Sequence, residues 1–190
     1  MGNNLTNEQR HENMLKQIKN FRLLDDDFMT TCFKENTEAV ELVLRIVLEK
    51  PDIKVEDVKT QYDLKNIRGR SVRLDIYAVD SENKKYNIEI QRADSGAGAR
   101  RARYNSSLID GNILPKGISP DNISDTFIIF ITENDVIGGN KPIYHIDRYI
   151  RELNEYFNDG THIIYVNADY KDDSDLSLIH ISEPTRLGMI

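Results

Sequence analysis

The sequence has one cysteine, no tryptophan and only five prolines among its 190 residues. A single thiol, Cys32, cannot form a disulfide within the chain, and it excludes a zinc site built from four cysteines. No segment reaches the roughly 20 consecutive apolar residues of a membrane-spanning helix, and the polar N-terminus lacks the basic and then apolar order of a signal peptide. These absences favour a cytoplasmic protein with no membrane partner.

The chain nevertheless has the composition of a folded domain. Hydrophobic residues make up 39% and charged residues 30% of the sequence, which is too apolar for a disordered chain. The formal net charge is −7. An acidic total argues against a non-specific coating of nucleic acid, but it leaves room for a local basic site.

Three stretches of the chain differ in character. Residues 1–20 are polar and are predicted to form a flexible N-terminal segment, whereas residues 21–175 carry the patterns of one folded domain. The segment 176–190 begins LSLIHISEPTR, which is the translation of the end adapter of transposase-prepared sequencing libraries, so we expect a non-native read-through. On this interpretation the native domain is truncated after about Asp175.

Hydrophobic periodicity predicts an α/β fold with a mixed β-sheet flanked by helices. Asn36 or Thr37 should cap a first helix that ends near Glu49, before Pro51. Residues 111–122 are rich in Gly, Pro and Asn and are predicted to be a loop. Strands are predicted at 55–64, 72–79, 86–91, 126–132 and 161–167, and further helices at 99–109 and about 147–157.

Two acidic residues are predicted to face each other in this sheet. Alternation places Leu74 and Ile76 on one face of their strand and Asp75 on the other. If a three-residue loop at 81–83 joins strands 72–79 and 86–91 as a hairpin, Asp75 lies opposite Glu89, with Gln91 beside it. Facing carboxylates repel unless a cation or proton lies between them, and oxygen ligands suit Mg²⁺ or Mn²⁺. Simple solvation of both acids is the alternative that spacing leaves open.

A basic segment follows the second of these strands. Residues 92–104 carry a net charge of +3 within an acidic chain, and on a helix starting near Ala99 the side chains of Arg100, Arg103 and Tyr104 share one side. Arginine grips phosphate oxygens with its planar fork. The segment is therefore a candidate nucleic-acid contact, or else its arginines merely balance the acidic surface or pack on the sheet. Its arginines are Arg92, Arg100, Arg101 and Arg103.

The string RLDIYAVDSENKKYNIEIQ, followed by ARRARYNSSLID and DTFIIFIT, resembles the PD-(D/E)XK nuclease superfamily. It is specifically similar to the recombination-promoting nuclease (Rpn) and transposase family, from about Phe28 to Tyr170. The resemblance implies a restriction-endonuclease-like fold and a Mg²⁺- or Mn²⁺-dependent DNA endonuclease that hydrolyses phosphodiester bonds and leaves a 5′-phosphate. It also implies a role in recombination or transposition.

The same resemblance assigns roles to individual residues. Asp75 and Glu89 would be metal ligands, the backbone carbonyl of Ile90 would be a further ligand, and Gln91 would complete the catalytic set. Gln91 stands where the superfamily most often has lysine; an amide cannot act as a base, but it can orient a water or a phosphate oxygen. Glu38 on the first helix is the candidate for an additional acidic ligand; the alternative is a solvated residue in a helical first turn that favours negative charge. The basic segment, with Tyr104, would hold the DNA backbone.

Two other functions remain open from the sequence. One is a catalytically silent nuclease fold that acts as a binding or regulatory module, which would bind no divalent metal at Glu89. The other is an acidic protein-interaction domain, for which DNA affinity should be negligible even at low salt. The sequence also leaves open whether the protein forms a homodimer.

Overall fold

A mixed six-stranded sheet organises the computed structural model of the protein, which describes residues 31–66, 69–92, 94–168 and 170. The predicted N-terminal segment 1–20 and the predicted read-through segment 176–190 lie outside these residues. In the described part, the α-helices are α1 (Thr37–Leu48) and α2 (Ala99–Ile113), and short 3₁₀ turns occur at Asp94–Ala97 and Pro120–Asn122. The strands are β1 (Val55–Leu64), β2 (Val72–Asp80), β3 (Lys85–Gln91), β4 (Thr126–Thr132), β5 (Ile143–Ile146), β6 (Tyr149–Ile150), β7 (Glu155–Tyr156) and β8 (Thr161–Asn167).

The strand order in the large sheet is β1-β2-β3-β4-β8-β5. The first three strands form an antiparallel meander, β3, β4 and β8 run parallel to one another, and β5 is an antiparallel edge. Parallel neighbours need a long crossover, and α2 lies in the one that joins β3 to β4. The predicted α/β fold with a mixed sheet flanked by helices is confirmed.

The first helix begins and ends as the sequence predicts. The Asn36 side chain accepts a hydrogen bond from the backbone N–H of Ala39 at 3.0 Å, which satisfies one of the free donors of the first turn. At the other end, Glu49 adopts a left-handed conformation with φ of 53°, and Pro51 follows. One side of α1 is buried through Ala39, Val40, Val43, Leu44 and Val47.

The hairpin of β2 and β3 has the predicted register. Ile76 pairs with Ile88 and Val79 with Lys85, so the next positions along the ladder are Asp75 and Glu89. The loop is Ser81–Asn83, and Asn83 takes the left-handed conformation, with φ of 64°, that a three-residue hairpin uses.

The two faces of the sheet carry separate hydrophobic clusters. One face packs against α1 and includes Ile76, Ile88 and Ile90, whereas the other packs against α2 and includes Tyr77 and Phe130. Strand β4 is buried along its whole length because it contributes to both clusters. The sheet therefore forms the middle layer, and Glu89 lies on the α2 side of it.

One predicted alternation is wrong at Leu74. This residue belongs to the cluster on the α2 face together with Tyr77, whereas Ile76 lies on the α1 face. The physical reason is an interruption of the ladder between β1 and β2. The strands pair at Thr60↔Ile76 and again at Tyr62↔Leu74 but not between, where Gln61 has φ of 51°.

The predicted helix at 147–157 is also wrong. The segment forms the small hairpin of β6 and β7, closed by Asn154 with φ of 57°, a conformation that asparagine tolerates better than other side-chain-bearing residues. Leu153, Tyr156 and Phe157 are exposed, so no apolar face of a helix is buried here. In addition, α2 ends at Ile113, four residues beyond its predicted end at Ile109, so the predicted loop begins later.

Candidate active site

The β1–β2 ladder is interrupted at Asp75. The carboxylate of Asp75 contacts the backbone of β3. Asp75 Oδ2 accepts a hydrogen bond from the backbone N–H of Ile90 at 3.1 Å. The Asp75 side chain is therefore held against β3, the strand that carries Glu89, through Ile90, which is the residue after Glu89. The two acidic residues that the sequence pairs across the hairpin are thus brought together.

Glu89 is fully buried and has two different oxygen environments. Its side chain is 0% exposed, and Oε2 forms an ion pair with Arg101 Nη2 of α2 at 2.7 Å. Oε1 is also buried and makes no hydrogen bond of normal length and angle to the described residues, although the Asn87 side chain and the Asp75 backbone N–H lie close enough to lower the pKa of the carboxyl group. A buried carboxylate oxygen without a partner is costly, so this oxygen is a candidate ligand for a cation or a water.

The electrostatics of the pair follow from burial. Desolvation, reinforced by the negative charge of Asp75, raises the pKa of Glu89 to about 7, while the Arg101 guanidinium opposes this shift and the Asn87 side chain and the Asp75 backbone N–H oppose it less. Repulsion between neighbouring carboxylates is relieved when a cation or a proton is shared. Glu89 is therefore poised to hold a proton near neutral pH unless a positive charge replaces it.

Gln91, at the end of β3, lies against the glycine of the following 3₁₀ turn. A Cβ atom placed on Gly96 would come within 1.8 Å of Gln91 Oε1. The Gln91 amide can therefore occupy this position only because residue 96 has no side chain. The backbone carbonyl of Gln91 accepts the N–H of Glu133 at 3.1 Å, which holds the residue at the strand end. In the sequence, Gly96 is more readily interpreted as a flexible start to the helix.

The residues of the basic segment separate into two groups. Arg92, Arg100 and Arg103 are exposed and stay candidates for phosphate contacts. Arg101 turns to Glu89 instead, although its own side chain is 42% exposed. Tyr104 is 37% exposed, and its hydroxyl donates to the Arg70 carbonyl and accepts from Asn66 Nδ2, which ties α2 to the loop between β1 and β2.

Two buried asparagines beside this site are absent from the sequence prediction. Asn87 on β3 and Asn105 on α2 are 0% and 1% exposed, and their side-chain amides make no hydrogen bond of normal length and angle to the described residues. Asn87 precedes Glu89 by two positions, and Asn105 follows Arg101 by one helical turn. The only sequence signal is that Asn87 alternates with Glu89 and Gln91 on one face of the strand.

The donor set fits a small divalent cation. Two carboxylates, one of them with a buried oxygen that makes no normal hydrogen bond to the described residues, are the hard oxygen ligands that Mg²⁺ and Mn²⁺ prefer. The described residues contain no group of three or more His, Cys, Asp and Glu side chains that could hold a metal. Glu38 is exposed on the first turn of α1 and is not grouped with the pair, and the Ile90 carbonyl stays a predicted ligand.

Two comparisons bear on the family of the chain. A sequence model described as a PD-(D/E)XK nuclease family transposase matches residues 9–173. A search of curated proteins gives no match. Within the described residues, no helix has the length and apolar character that crossing a bilayer requires.

Proposed function

The chain belongs to the PD-(D/E)XK nuclease family of transposases, and from that premise we propose that it is a divalent-metal-dependent DNA endonuclease acting in recombination or transposition. The observation that supports the proposal most directly is the coupling of Asp75 and Glu89. Asp75 accepts a hydrogen bond from the N–H of Ile90, the residue after Glu89, its charge raises the pKa of Glu89, and Glu89 Oε1 makes no hydrogen bond to the described residues.

Asp75 and Glu89 would hold the ion in this proposal. A bound Mg²⁺ or Mn²⁺ supplies an acidified water and neutralises charge that builds on the phosphate. The protein contributes a fixed pair of negative charges: Asp75 is oriented by the Ile90 N–H and Glu89 by Arg101. Burial of Glu89 excludes competing water from its carboxylate, which strengthens its interaction with a cation.

Gln91 and the exposed arginines would act on the substrate. The Gln91 amide can donate to a phosphate oxygen or orient a water, but it cannot remove a proton. Arg92, Arg100 and Arg103 would bind the phosphate backbone electrostatically. Because these contacts carry no sequence information by themselves, they position DNA rather than select a site.

Supercoiled plasmid incubated with the purified protein tests the proposal. We expect nicked and linear forms to appear with Mg²⁺ or Mn²⁺ and no cleavage with EDTA. Agarose gel electrophoresis of samples taken over time measures the three forms. Equal cleavage in EDTA would show that the reaction needs no metal. Intact plasmid with either metal, together with no Mn²⁺ binding by calorimetry, would instead indicate the silent binding module.

Gly96 provides a test of Gln91 that leaves Gln91 itself unchanged. In Gly96→Ala the new Cβ displaces the Gln91 amide, because Oε1 lies in its place. A displacement of about 1 Å at a reacting centre can reduce a rate about 100-fold, so we expect cleavage to fall by about 10- to 100-fold. Stability should change little, since the displaced atom is the end of a flexible side chain.

Gly98→Ala is the matched control, because a Cβ at Gly98 meets no atom within 4 Å. This variant should cleave plasmid at the wild-type rate and lose only a little stability, because Gly98 is the N-cap of α2 and alanine is less favourable than glycine there. If Gly96→Ala also cleaves at the wild-type rate, the placement of the Gln91 amide is unimportant for the reaction.

A further inference from the structure

We propose that Arg101 is a positioning residue for Glu89: it holds one carboxylate oxygen so that the other stays oriented and open for the divalent ion. The inference rests on the proposed metal site. It changes the role that the sequence suggests for Arg101, which is a contact to the phosphate backbone of a nucleic acid.

The ion pair between Arg101 and Glu89 is asymmetric. Glu89 is 0% exposed whereas the Arg101 side chain is 42% exposed, and the guanidinium reaches only Oε2, at 2.7 Å. Oε1 is buried and makes no normal hydrogen bond to the described residues. Arg101 on α2 therefore holds Oε2 of Glu89. Oε1 is the oxygen that could bind a cation near Asp75.

The direction of α2 explains why Arg101 takes this position. The helix runs antiparallel to β3: Arg101 meets Glu89 near one end, and nine residues later Asp110 Oδ1 accepts a hydrogen bond from Thr126 Oγ1 at 2.9 Å, beside the start of β3. Arg101 precedes the buried residues Ala102 and Asn105. Its side chain thus starts at the border between the sheet and solvent.

The neighbouring arginines do not share this geometry. Arg100 and Arg103 are exposed on the same helix, and the ion pair with Glu89 is made by Arg101. Of the arginines on α2, Arg101 is therefore the one that pairs with a fully buried acid. Its guanidinium compensates a carboxylate that would otherwise be both buried and repelled by Asp75.

Carboxylates that bind metals are commonly held by hydrogen-bond donors behind them, and loss of such a donor typically weakens metal affinity by 10- to 100-fold. Arg101 has this arrangement with respect to Glu89. Without Arg101, Glu89 Oε2 would lose the donor that orients the carboxylate. That loss weakens metal binding, although the guanidinium itself repels the ion.

Titration calorimetry of the full chain with MnCl₂ tests the inference through binding rather than cleavage. We expect Arg101→Gln to weaken Mn²⁺ affinity about 10- to 100-fold, and Arg101→Lys, which keeps the charge but not the planar fork, to lie between Arg101→Gln and wild type. Arg100→Gln removes the same charge from the same helix without touching Glu89, so its Mn²⁺ affinity should remain within about threefold of wild type.

Arg101→Met is the second variant in case Arg101→Gln does not fold, since it retains an apolar stem, and thermal unfolding establishes which proteins are native. The same weakening is expected for it. Mn²⁺ affinity in folded Arg101→Gln or Arg101→Met equal to that of Arg100→Gln, or tighter, would overturn the role of Arg101 and leave the proposed function standing. Absence of Mn²⁺ binding by the wild-type protein would overturn both.

Discussion

Asp75→Asn should abolish metal-dependent plasmid cleavage while the protein stays folded. The asparagine oxygen can still accept the hydrogen bond from the Ile90 N–H, which Asp75 Oδ2 accepts at 3.1 Å, so the hairpin keeps its side-chain contact. The charge that would bind the ion is lost. Because loss of a residue behind a metal ligand already costs about 10- to 100-fold, loss of a ligand should lower the cleavage rate at least about 100-fold.

Cleavage is measured on supercoiled plasmid with Mg²⁺, and Mn²⁺ binding is measured by calorimetry on the same preparation. Asp57→Asn is the matched control, since Asp57 lies on β1 and pairs with Lys59 at 3.1 Å, outside the site. It should behave as wild type. A pure, folded Asp75→Asn protein that cleaves as fast as Asp57→Asn would remove Asp75 from the proposed site.

Glu89→Gln should have the second large effect, and it should act in opposite directions on activity and stability. The amide has nearly the same shape as the carboxylate but carries no charge, so Mn²⁺ affinity and cleavage should each fall at least about 100-fold. Folding does not need the charge. A buried carboxylate beside Asp75 is destabilising when it is ionised, even though Arg101 pairs with it.

The stability difference between wild type and Glu89→Gln should depend on pH. The pKa of Glu89 is raised from 4.5 to about 7 in the folded protein, so the folded state holds a proton that the unfolded state has released. The contribution of Glu89 to the free energy of unfolding of the wild type is therefore fully present below pH 4.5. It is lost as pH rises through about 7, by about 3 kcal/mol in total. Glu89→Gln lacks this loss.

Urea unfolding without metal at several pH values between 4 and 8 measures this difference. The free energy of unfolding of Glu89→Gln relative to wild type should rise between pH 4.5 and 7 and then level off. Glu82→Gln serves as the control, because Glu82 lies exposed in the hairpin loop and pairs with Lys84 at 2.6 Å. A relative stability of Glu89→Gln that does not change with pH would show that Glu89 is ionised without penalty.

Local signals predicted the central hairpin correctly. Alternating apolar residues and a three-residue loop were sufficient to predict the register of the hairpin, which the pairs Ile76↔Ile88 and Val79↔Lys85 confirm. The strands β1, β4 and β8 have the predicted bounds, and Asn36 with Pro51 marks the first helix. Each of these features depends on residues close together in the chain.

The errors arose where distant residues decide the structure. Leu74 changes face because β1 is interrupted opposite Asp75, which no pattern within β2 can reveal. The segment at 147–157 has a helical spacing of apolar residues, yet the hairpin of β6 and β7 leaves Leu153 and Phe157 exposed instead of burying them. Periodicity predicts a buried face only if another element is present to cover it.

The sequence by itself determined the first helix, the strands β1, β4 and β8 and the register of the β2–β3 hairpin, since these follow from the two-residue period of strands and from capping and turn residues nearby. Only the tertiary structure decided which arginine reaches Glu89, which glycine makes room for Gln91, and that one oxygen of Glu89 makes no normal hydrogen bond to the described residues. Those features depend on how α2 lies across the sheet. Packing between elements far apart in the chain sets that position, and the spacing of residues within one element does not encode it.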